Sequence, residues 1–65
     1  MDMTEKEARE AMKALGWTYM QRKRRGGRLY IYAERKQAGR KVEKYVGSLA
    51  SLENMTVEDL QRKLA

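Results

Sequence analysis

The residues that could carry chemistry in this 65-residue chain are tyrosines and basic side chains, because it contains no cysteine and no histidine. Without those two types there is no thiol nucleophile, no imidazole base and none of the usual zinc ligands. Carboxylates do not replace them, since Glu34 and Glu43 are the only acids between residues 17 and 47. We therefore predict no catalytic residue, no metal site and no cofactor, and a protein that is not an enzyme.

The basic residues are concentrated in the middle of the chain. Residues 17–47 hold ten basic and two acidic residues, a net charge of +8, whereas residues 1–16 and 48–65 each carry a net charge of −1. Solubility alone usually mixes the two signs along a chain. A basic middle between slightly acidic flanks predicts that the middle binds a polyanion.

Four tyrosines alternate with these bases, most clearly in RLYIYAERKQAGRKVEKYVG, residues 28–47. Basic side chains neutralise phosphates, and tyrosine supplies a hydroxyl for a phosphate and a ring for a sugar or a base. Strands also favour aromatic residues, and cross-strand tyrosine pairs stabilise a sheet by roughly 0.2–1 kcal/mol, so part of the pattern has a structural explanation. The candidate nucleic-acid-binding residues are Tyr19, Arg22, Lys23, Arg24, Arg25, Arg28, Tyr30, Tyr32, Lys36, Arg40, Lys41 and Tyr45.

Two helices must position this basic stretch from either side. The segment TEKEAREAMKAL begins with a capping box formed by Thr4 and Glu7, and Gly16 is its natural stop. The helix is expected to be scaffold, with an opposite face of solvated residues, Glu5, Lys6, Arg9, Glu10 and Lys13. A second helix is predicted to begin after Thr56, following a loop that starts at residue 48. The apolar stripes are Ala8, Ala11, Met12 and Leu15 in the first helix and Val57, Leu60 and Leu64 in the second.

Between the helices, aromatic and β-branched residues alternate with polar ones, which is typical of a three-stranded meander. The strands are predicted near residues 17–24, 28–36 and 40–46. The pattern breaks at a tight turn at Gly26 and Gly27 and again at QAG, residues 37–39, where a short second loop is expected. The fold class is therefore α+β, in the order αβββα. We expect residues 1–65 to form a single small domain.

One face of such a sheet must pack on the helices while the other stays open. A second loop of two or four residues pairs Tyr32 with Tyr45 and gathers the aliphatic residues on one face, whereas a three-residue loop would turn the third strand over. We prefer the first register. It predicts an inner face of Met20, Leu29, Ile31, Ala33, Val42 and Val46, covered by Met12, Leu15, Leu60 and Leu64, and an outer face of Tyr19, Tyr30, Tyr32 and Tyr45 with Lys23, Lys36, Lys41 and Glu43.

Trp17 is the residue that this scheme places least easily. A turn at Gly26 and Gly27 puts Trp17 on the outer face with Tyr19, by alternation. Large aromatic residues beside a helix end usually bury their area, however, so we predict that Trp17 lies in the core.

The stretch YIYAERKQAGRKVEKYVG resembles the short basic hairpin of some transposase N-terminal regions and of small prokaryotic proteins, through its Tyr-x-Tyr, its turn at Gly39 and Arg40 and its closing Lys-Tyr-Val-Gly. More loosely, the sheet with its C-terminal helix is similar to the arm-binding domains of phage integrases, which place a three-stranded sheet in the DNA major groove. The resemblance implies that Tyr30, Tyr32 and Tyr45, with Arg40 and Lys41, lie on a DNA-facing hairpin.

Duplex DNA is therefore the expected partner, bound mainly through phosphate contacts with possible reading of the major groove. An RNA-binding protein is the main alternative, because the order αβββα is also that of the double-stranded-RNA-binding domain. That family has a lysine-rich start to its last helix, whereas this helix begins TVEDL. Single-strand binding by stacking on Tyr30, Tyr32 and Tyr45 is a further variant. The alternative of a different class is a protein-interaction module that docks on an acidic partner.

Location and assembly follow from the same composition. No stretch approaches the roughly 18 apolar residues of a membrane span, and the N-terminus shows no secretory signal, so we expect a cytoplasmic protein associated with the nucleoid and with no membrane partner. A chain this short has a thin core and no disulfide, so a homodimer is possible.

Overall fold

A computed structural model describes residues 3–65 of the chain. The elements are helix α1 (Glu5–Ala14), strands β1 (Thr18–Lys23), β2 (Leu29–Gln37) and β3 (Arg40–Ser48), and helix α2 (Val57–Leu64). The strands form one antiparallel sheet in the order β1-β2-β3, and both helices pack against the same face, here called the inner face. The predicted α+β class and αβββα order are confirmed. Within residues 3–65, neither helix has the length and apolar character needed to cross a membrane.

Both helices begin at a capping box. The Thr4 hydroxyl accepts a hydrogen bond from the Glu7 N–H at 3.1 Å, and the Glu7 carboxylate accepts one from the Thr4 N–H at 3.3 Å. Thr56 and Asp59 form the same reciprocal pair, and the bond from the Thr56 N–H lowers the pKa of Asp59. Each pair satisfies two backbone groups that a helix N-terminus leaves without partners. Thr4 and Thr56 were both predicted as caps, whereas the reciprocal bond of Asp59 was not.

The second hairpin has the predicted register. Gln37 pairs with Arg40 across a two-residue loop, and this pairing brings Tyr32 opposite Tyr45. The loop residues Ala38 and Gly39 have φ angles of 53° and 76°. Two successive positive φ angles define the type I′ turn, whose twist matches that of the flanking strands. The loop therefore holds Val42 and Val46 on the inner face, as the aliphatic pattern required.

The first hairpin has a different register from the predicted one. Its loop contains three residues, Arg25–Gly27, and is closed by the hydrogen bond from the Arg24 N–H to the Arg28 carbonyl at 2.8 Å. Tyr19 consequently pairs with Ala33, and Met20 pairs with Tyr32. A two-residue turn would have shifted β1 by one position and reversed its faces.

The prediction that placed Tyr19 on the outer face and Met20 on the inner face is therefore wrong. Tyr19 is only 9% exposed, and Trp17, two residues earlier on the same face, is 4% exposed. An aromatic side chain buries about 150–250 Å². The area that these two aromatic side chains bury is larger than the area of the one methionine, Met20, that the alternative register would bury. The predicted core position of Trp17 is confirmed. With a three-residue loop, alternation places Trp17 on the inner face, whereas with the predicted two-residue turn it placed Trp17 on the outer face.

The core lies between the inner face and the helices. Its most completely buried large side chains are Met12 from α1, Ile31 and Val46 from the sheet, and Leu60 from α2. A short 3-10 helix, Leu49–Asn54, occupies the segment that the sequence predicted as a loop, and its Leu52 side chain joins the same core. Val57 was predicted to belong to the buried stripe of α2. That prediction is wrong, because Val57 is 46% exposed.

Candidate nucleic-acid interface

The face of the sheet away from the helices, here called the outer face, carries alternate residues of all three strands. Strand pairing places Met20, Tyr32 and Tyr45 in one cross-strand row and Thr18, Glu34 and Glu43 in the next. Tyr30 pairs with Arg22 at the end nearest the first loop, and Lys36 pairs with Lys41 at the end nearest the second. Ser48 of β3 pairs with Tyr30 on the same face. The outer face thus consists of eleven residues, Thr18, Met20, Arg22, Tyr30, Tyr32, Glu34, Lys36, Lys41, Glu43, Tyr45 and Ser48.

Tyr32 is the centre of this face. Its hydroxyl accepts a hydrogen bond from Arg24 Nη2 at 2.8 Å, and the Arg22 guanidinium lies over its ring, 4.8 Å from the centroid. The ring also meets Tyr45 edge-on, with 5.4 Å between centroids. A cation over an aromatic ring is stabilised by roughly 0.5–1 kcal/mol at an exposed site. One tyrosine therefore orients two arginines on the open side of the sheet.

The other two outer tyrosines complete an aromatic cluster. Tyr45 lies between Tyr30 and Tyr32, with its ring centroid 6.2 Å from that of Tyr30 and at an interplanar angle of 44°. Tyr45 is 55% exposed, which makes it an unusually open aromatic side chain. These three tyrosines were predicted to lie together on the outer face, and the strand register places them there.

Two carboxylates lie among the bases of the outer face. Glu43 Oε1 is 2.5 Å from Arg22 Nη2 and 3.7 Å from Lys41 Nζ, and the bond from Arg22 lowers the pKa of Glu43. Glu34 Oε2 is buried without a hydrogen bond from residues 3–65, so Lys41 Nζ at 3.3 Å is its electrostatic partner. Arg22 and Lys41 are thus already neutralised in part within the chain.

The first hairpin loop has no such compensation. Arg24, Arg25 and Arg28 are all exposed, and none of them forms an ion pair with any residue from 3 to 65. Arg24 is held by a neutral hydroxyl, which leaves its charge in place. A guanidinium offers a planar set of donors that matches a phosphate in two-point contact. This loop is the strongest available site for an anion on the sheet.

The second hairpin loop is also basic and exposed, but one of its bases is already paired. Lys36 and Arg40 are exposed, while Lys41 is shared between the two carboxylates. Because the loops close opposite ends of the sheet, the basic residues form two clusters separated by the tyrosines. The first cluster is Arg22, Lys23, Arg24, Arg25 and Arg28, and the second is Lys36, Arg40 and Lys41.

Two of the residues predicted to lie on the outer face, Tyr19 and Lys23, do not lie there. Burial raises the pKa of the Tyr19 hydroxyl, which accepts a hydrogen bond from Gln21 Nε2 at 2.8 Å. Tyr19 is thereby removed from any ligand on the outer face. Lys23 pairs with Leu29 and so belongs to the inner-face register, although its side chain is exposed beside the first loop. The cause in both cases is the three-residue loop.

Two further basic residues of the central stretch, Arg35 and Lys44, pack against the buried Trp17 ring. The Arg35 guanidinium lies 4.2 Å from the centroid of the Trp17 ring, and Lys44 Nζ lies 5.7 Å from the same ring. Lys44 also donates a hydrogen bond to the Ala65 carbonyl at 2.7 Å. The +8 charge of residues 17–47 therefore overstates the charge that is free to meet a ligand.

The predicted outer face contained none of the β1 residues that lie there, Thr18, Met20 and Arg22. The most consequential of these is Met20. Its neighbours in the row are Tyr32 and Tyr45, so the aromatic cluster has an apolar edge on β1. The available signal was the pair of aromatic residues Trp17 and Tyr19, which share a face two positions apart. Their combined area identifies the buried side of β1 better than the position of the double glycine does.

Comparisons of the chain with protein-family models, with curated proteins and with solved structures found no match. The chemistry of the outer face must therefore be interpreted from its own residues. That face offers exposed guanidinium and ammonium donors at two ends and phenol rings and hydroxyls between them. Such a combination suits phosphates at the ends and sugars or base edges in the middle.

Proposed function

We propose that this chain is a non-enzymatic protein that binds double-stranded DNA through the outer face of its sheet and the two hairpin loops. The observation that carries the proposal is the arrangement around Tyr32, which orients Arg22 and Arg24 beside a loop whose arginines have no acidic partner within residues 3–65. Pre-oriented guanidinium groups lose less side-chain freedom on binding, so more of their attraction for phosphate appears as affinity.

The dimensions of the sheet support a duplex as the ligand. Three strands about 4.8 Å apart make a sheet about 10 Å wide, which fits the major groove of B-DNA at about 12 Å. The strands would then run along the groove. Because the groove winds around the duplex, the loops at the two ends of the sheet would meet the sugar-phosphate backbones where it curves away. Most of the affinity is expected from phosphate contacts. Arg22 is the one arginine among the outer-face residues, and it would have to leave Glu43 to reach a base edge.

The packing of the tyrosines favours a duplex over a single strand. Single-strand binding relies on aromatic rings whose faces are open to stack on bases. Arg22 covers one face of Tyr32, and Tyr30 and Tyr45 meet at a tilted angle, so Tyr45 is the most open ring of the three. One open ring supplies little stacking for a strand of several nucleotides.

The start of α2 argues against a double-stranded-RNA-binding mode. That mode is expected to place basic residues at the N-terminus of the last helix, near a phosphate. Here Glu58 and Asp59 occupy the first turn, and Asp59 is already engaged with Thr56 and Arg62. Two carboxylates at that helix end repel a phosphate. The proposal also agrees with the hairpin resemblance to transposase N-terminal regions, and it makes the nucleoid the expected location.

The test is a titration of a fluorescent duplex with the wild-type protein and with three variants at several salt concentrations. Arg24→Gln with Arg25→Gln removes two loop charges, and Tyr32→Ala removes the ring that orients Arg22 and Arg24. Arg62→Gln with Lys63→Gln is the matched control, because it also removes two positive charges, but from the exposed side of α2. Circular dichroism checks that each variant is folded.

We expect wild-type affinity to fall steeply with salt, by about 10³–10⁵ between 50 and 200 mM if six to ten phosphates are contacted. The loop variant should lose about 1.8 from the slope of log affinity against log salt, and the α2 control should lose much less. A wild-type protein that binds no duplex, or a loop variant indistinguishable from the control, would contradict the proposal. Tighter binding of duplex RNA or of a single strand in competition would assign a different nucleic acid.

A further inference from the structure

A further basic site, separate from the two hairpin clusters, lies outside the outer face, where α1 passes the edge strand β1. A groove of about 460 Å³ at this junction is lined by Arg9 and Lys13 from α1 and by Trp17, Thr18 and Tyr19. No acidic residue lines it. From the sequence, Arg9 and Lys13 were expected to be solvated residues of a scaffold helix.

The two bases of this groove are free to meet a ligand. Neither Arg9 nor Lys13 forms an ion pair with any residue from 3 to 65, and Glu5, one turn before Arg9, is not within ion-pair distance of it. The Arg9 guanidinium lies 5.1 Å from the centroid of the Tyr19 ring. Stacking on a buried ring fixes the position of this guanidinium while its hydrogen-bond donors stay available.

Thr18 connects this groove to the outer face. It pairs with Glu34 and so belongs to the outer-face register, yet its exposed side chain also lines the groove. Strand β1 is an edge strand, with no further strand beyond it among residues 3–65. A backbone that follows the outer face past the β1 edge therefore meets Thr18 first, and then Arg9 and Lys13.

We infer that this groove binds a phosphate of the DNA backbone that forms one wall of the major groove. The inference rests on the proposed function. A sheet about 10 Å wide in a groove about 12 Å wide has a phosphate wall next to each of its edges. At the β1 edge the Arg9 guanidinium and the Lys13 ammonium would neutralise that phosphate, and the Thr18 hydroxyl would donate a hydrogen bond to it. The binding surface then wraps around the β1 edge onto α1.

The first experiment compares Arg9→Gln with Lys13→Gln against the matched pair Arg62→Gln with Lys63→Gln. Both double variants remove one arginine and one lysine from exposed helix surface. Loss of one phosphate contact reduces the salt slope by about 0.9, so between 50 and 200 mM salt the wild-type affinity should fall about three- to fourfold further than that of the α1 variant. Equal slopes for the two double variants would overturn the inference.

Backbone amide NMR of the wild-type protein supplies a second measurement that does not depend on the folding of a variant. On addition of a short duplex we expect shifts at residues 9, 13 and 18 together with those of the outer face. Shifts at the outer face alone would overturn this inference and leave the proposed function standing, whereas no shift at either site would overturn both. A response of residues 9, 13 and 18 to inorganic phosphate but not to duplex would assign the groove to a free phosphate and refute the backbone contact.

Discussion

The two hairpins of this sheet reach their registers by different means. In the second, local chemistry is enough, because Ala38 and Gly39 take the two positive φ angles of a type I′ turn and the aliphatic residues on both strands agree with that turn. In the first, a two-residue turn at Gly26 and Gly27 is locally just as acceptable, yet the loop contains three residues, Arg25–Gly27. The burial of aromatic residues far from the loop decides between these alternatives.

The same comparison separates the two basic clusters. The first loop carries arginines with no acidic partner within residues 3–65, whereas Lys41 beside the second loop is paired with Glu34 and Glu43. A cation that is already paired within the protein contributes less to the free energy of phosphate binding, because its internal ion pair must be broken first. The two ends of the sheet are therefore expected to be unequal in binding, and the pairing of Lys41 adds to the difference between five bases at the first loop and three at the second.

The largest effect is expected from breaking the register of the first hairpin. Tyr19→Ala should lower the free energy of unfolding by about 3 kcal/mol, since Tyr19 is buried, whereas Tyr45→Ala on the open face should cost less than about 1 kcal/mol. Urea unfolding measures both. If Tyr19→Ala leaves no folded protein, Tyr19→Phe still reports the site, with an expected loss of about 0.5–1.5 kcal/mol from the Gln21 hydrogen bond. Equal costs at Tyr19 and Tyr45 would contradict the three-residue loop.

Next in size is the difference between the two loops in DNA binding. Replacing Arg24, Arg25 and Arg28 with glutamine should reduce the salt slope of duplex binding by about 2.7, one phosphate contact for each residue. The same change at Lys36, Arg40 and Lys41 should reduce it by about 1.8, because Lys41 is already paired with carboxylates. Titrations at four or more salt concentrations give both slopes. A larger loss at the second loop would reverse the assignment.

A smaller effect of opposite sign is expected at Glu43. Glu43→Gln frees Arg22 and removes a negative charge from the outer face, so affinity for random-sequence duplex should rise about three- to tenfold. Glu58→Gln on α2 is the control for the change in net charge and should have a weaker effect. A fall in affinity at Glu43→Gln would show that the carboxylate supports binding rather than opposing it.

The pH dependence follows from the same pair. Arg22 lowers the pKa of Glu43 in the folded protein. The ion pair of Glu43 with Arg22 therefore stabilises the folded protein at pH values above the ordinary pKa of a glutamate. This contribution to the free energy of unfolding is lost as the pH falls through the lowered pKa. Between pH 6 and 8 the wild-type protein and Glu43→Gln should thus keep a constant affinity ratio, as measured by parallel titrations. A ratio that changes over this range would contradict the lowered pKa.

The smallest effect tests the second loop itself. Ala38 is a non-glycine residue with a φ angle of 53°, which an asparagine tolerates better than an alanine does. Ala38→Asn should therefore stabilise the protein by about 0.5 kcal/mol, measured by urea unfolding. Gly39→Ala should have the opposite sign, since Gly39 has a φ angle of 76°. Destabilisation by Ala38→Asn would be inconsistent with the type I′ turn.

Much of the candidate site could be predicted from the sequence. The alternation in β2 and β3 placed Tyr30, Tyr32 and Tyr45 on one face, and the pairing of Tyr32 with Tyr45 followed from the second loop. The ion pairs could not be predicted, because the link between Arg22 and Glu43 crosses the middle strand and depends on how far each side chain extends over Tyr32. The groove between α1 and β1 could not be predicted from the sequence either, since it forms only where the helix packs against the edge of the sheet.

The sequence by itself determined the elements, their caps and the faces of β2 and β3, because capping boxes, type I′ turns and alternation are local features of a few neighbouring residues. Only the tertiary structure decided which face of β1 is buried and which bases are free. Those outcomes depend on contacts between residues distant in sequence. The area buried by Trp17 and Tyr19 selected the loop length, and the distances to Glu34 and Glu43 selected the bases already paired.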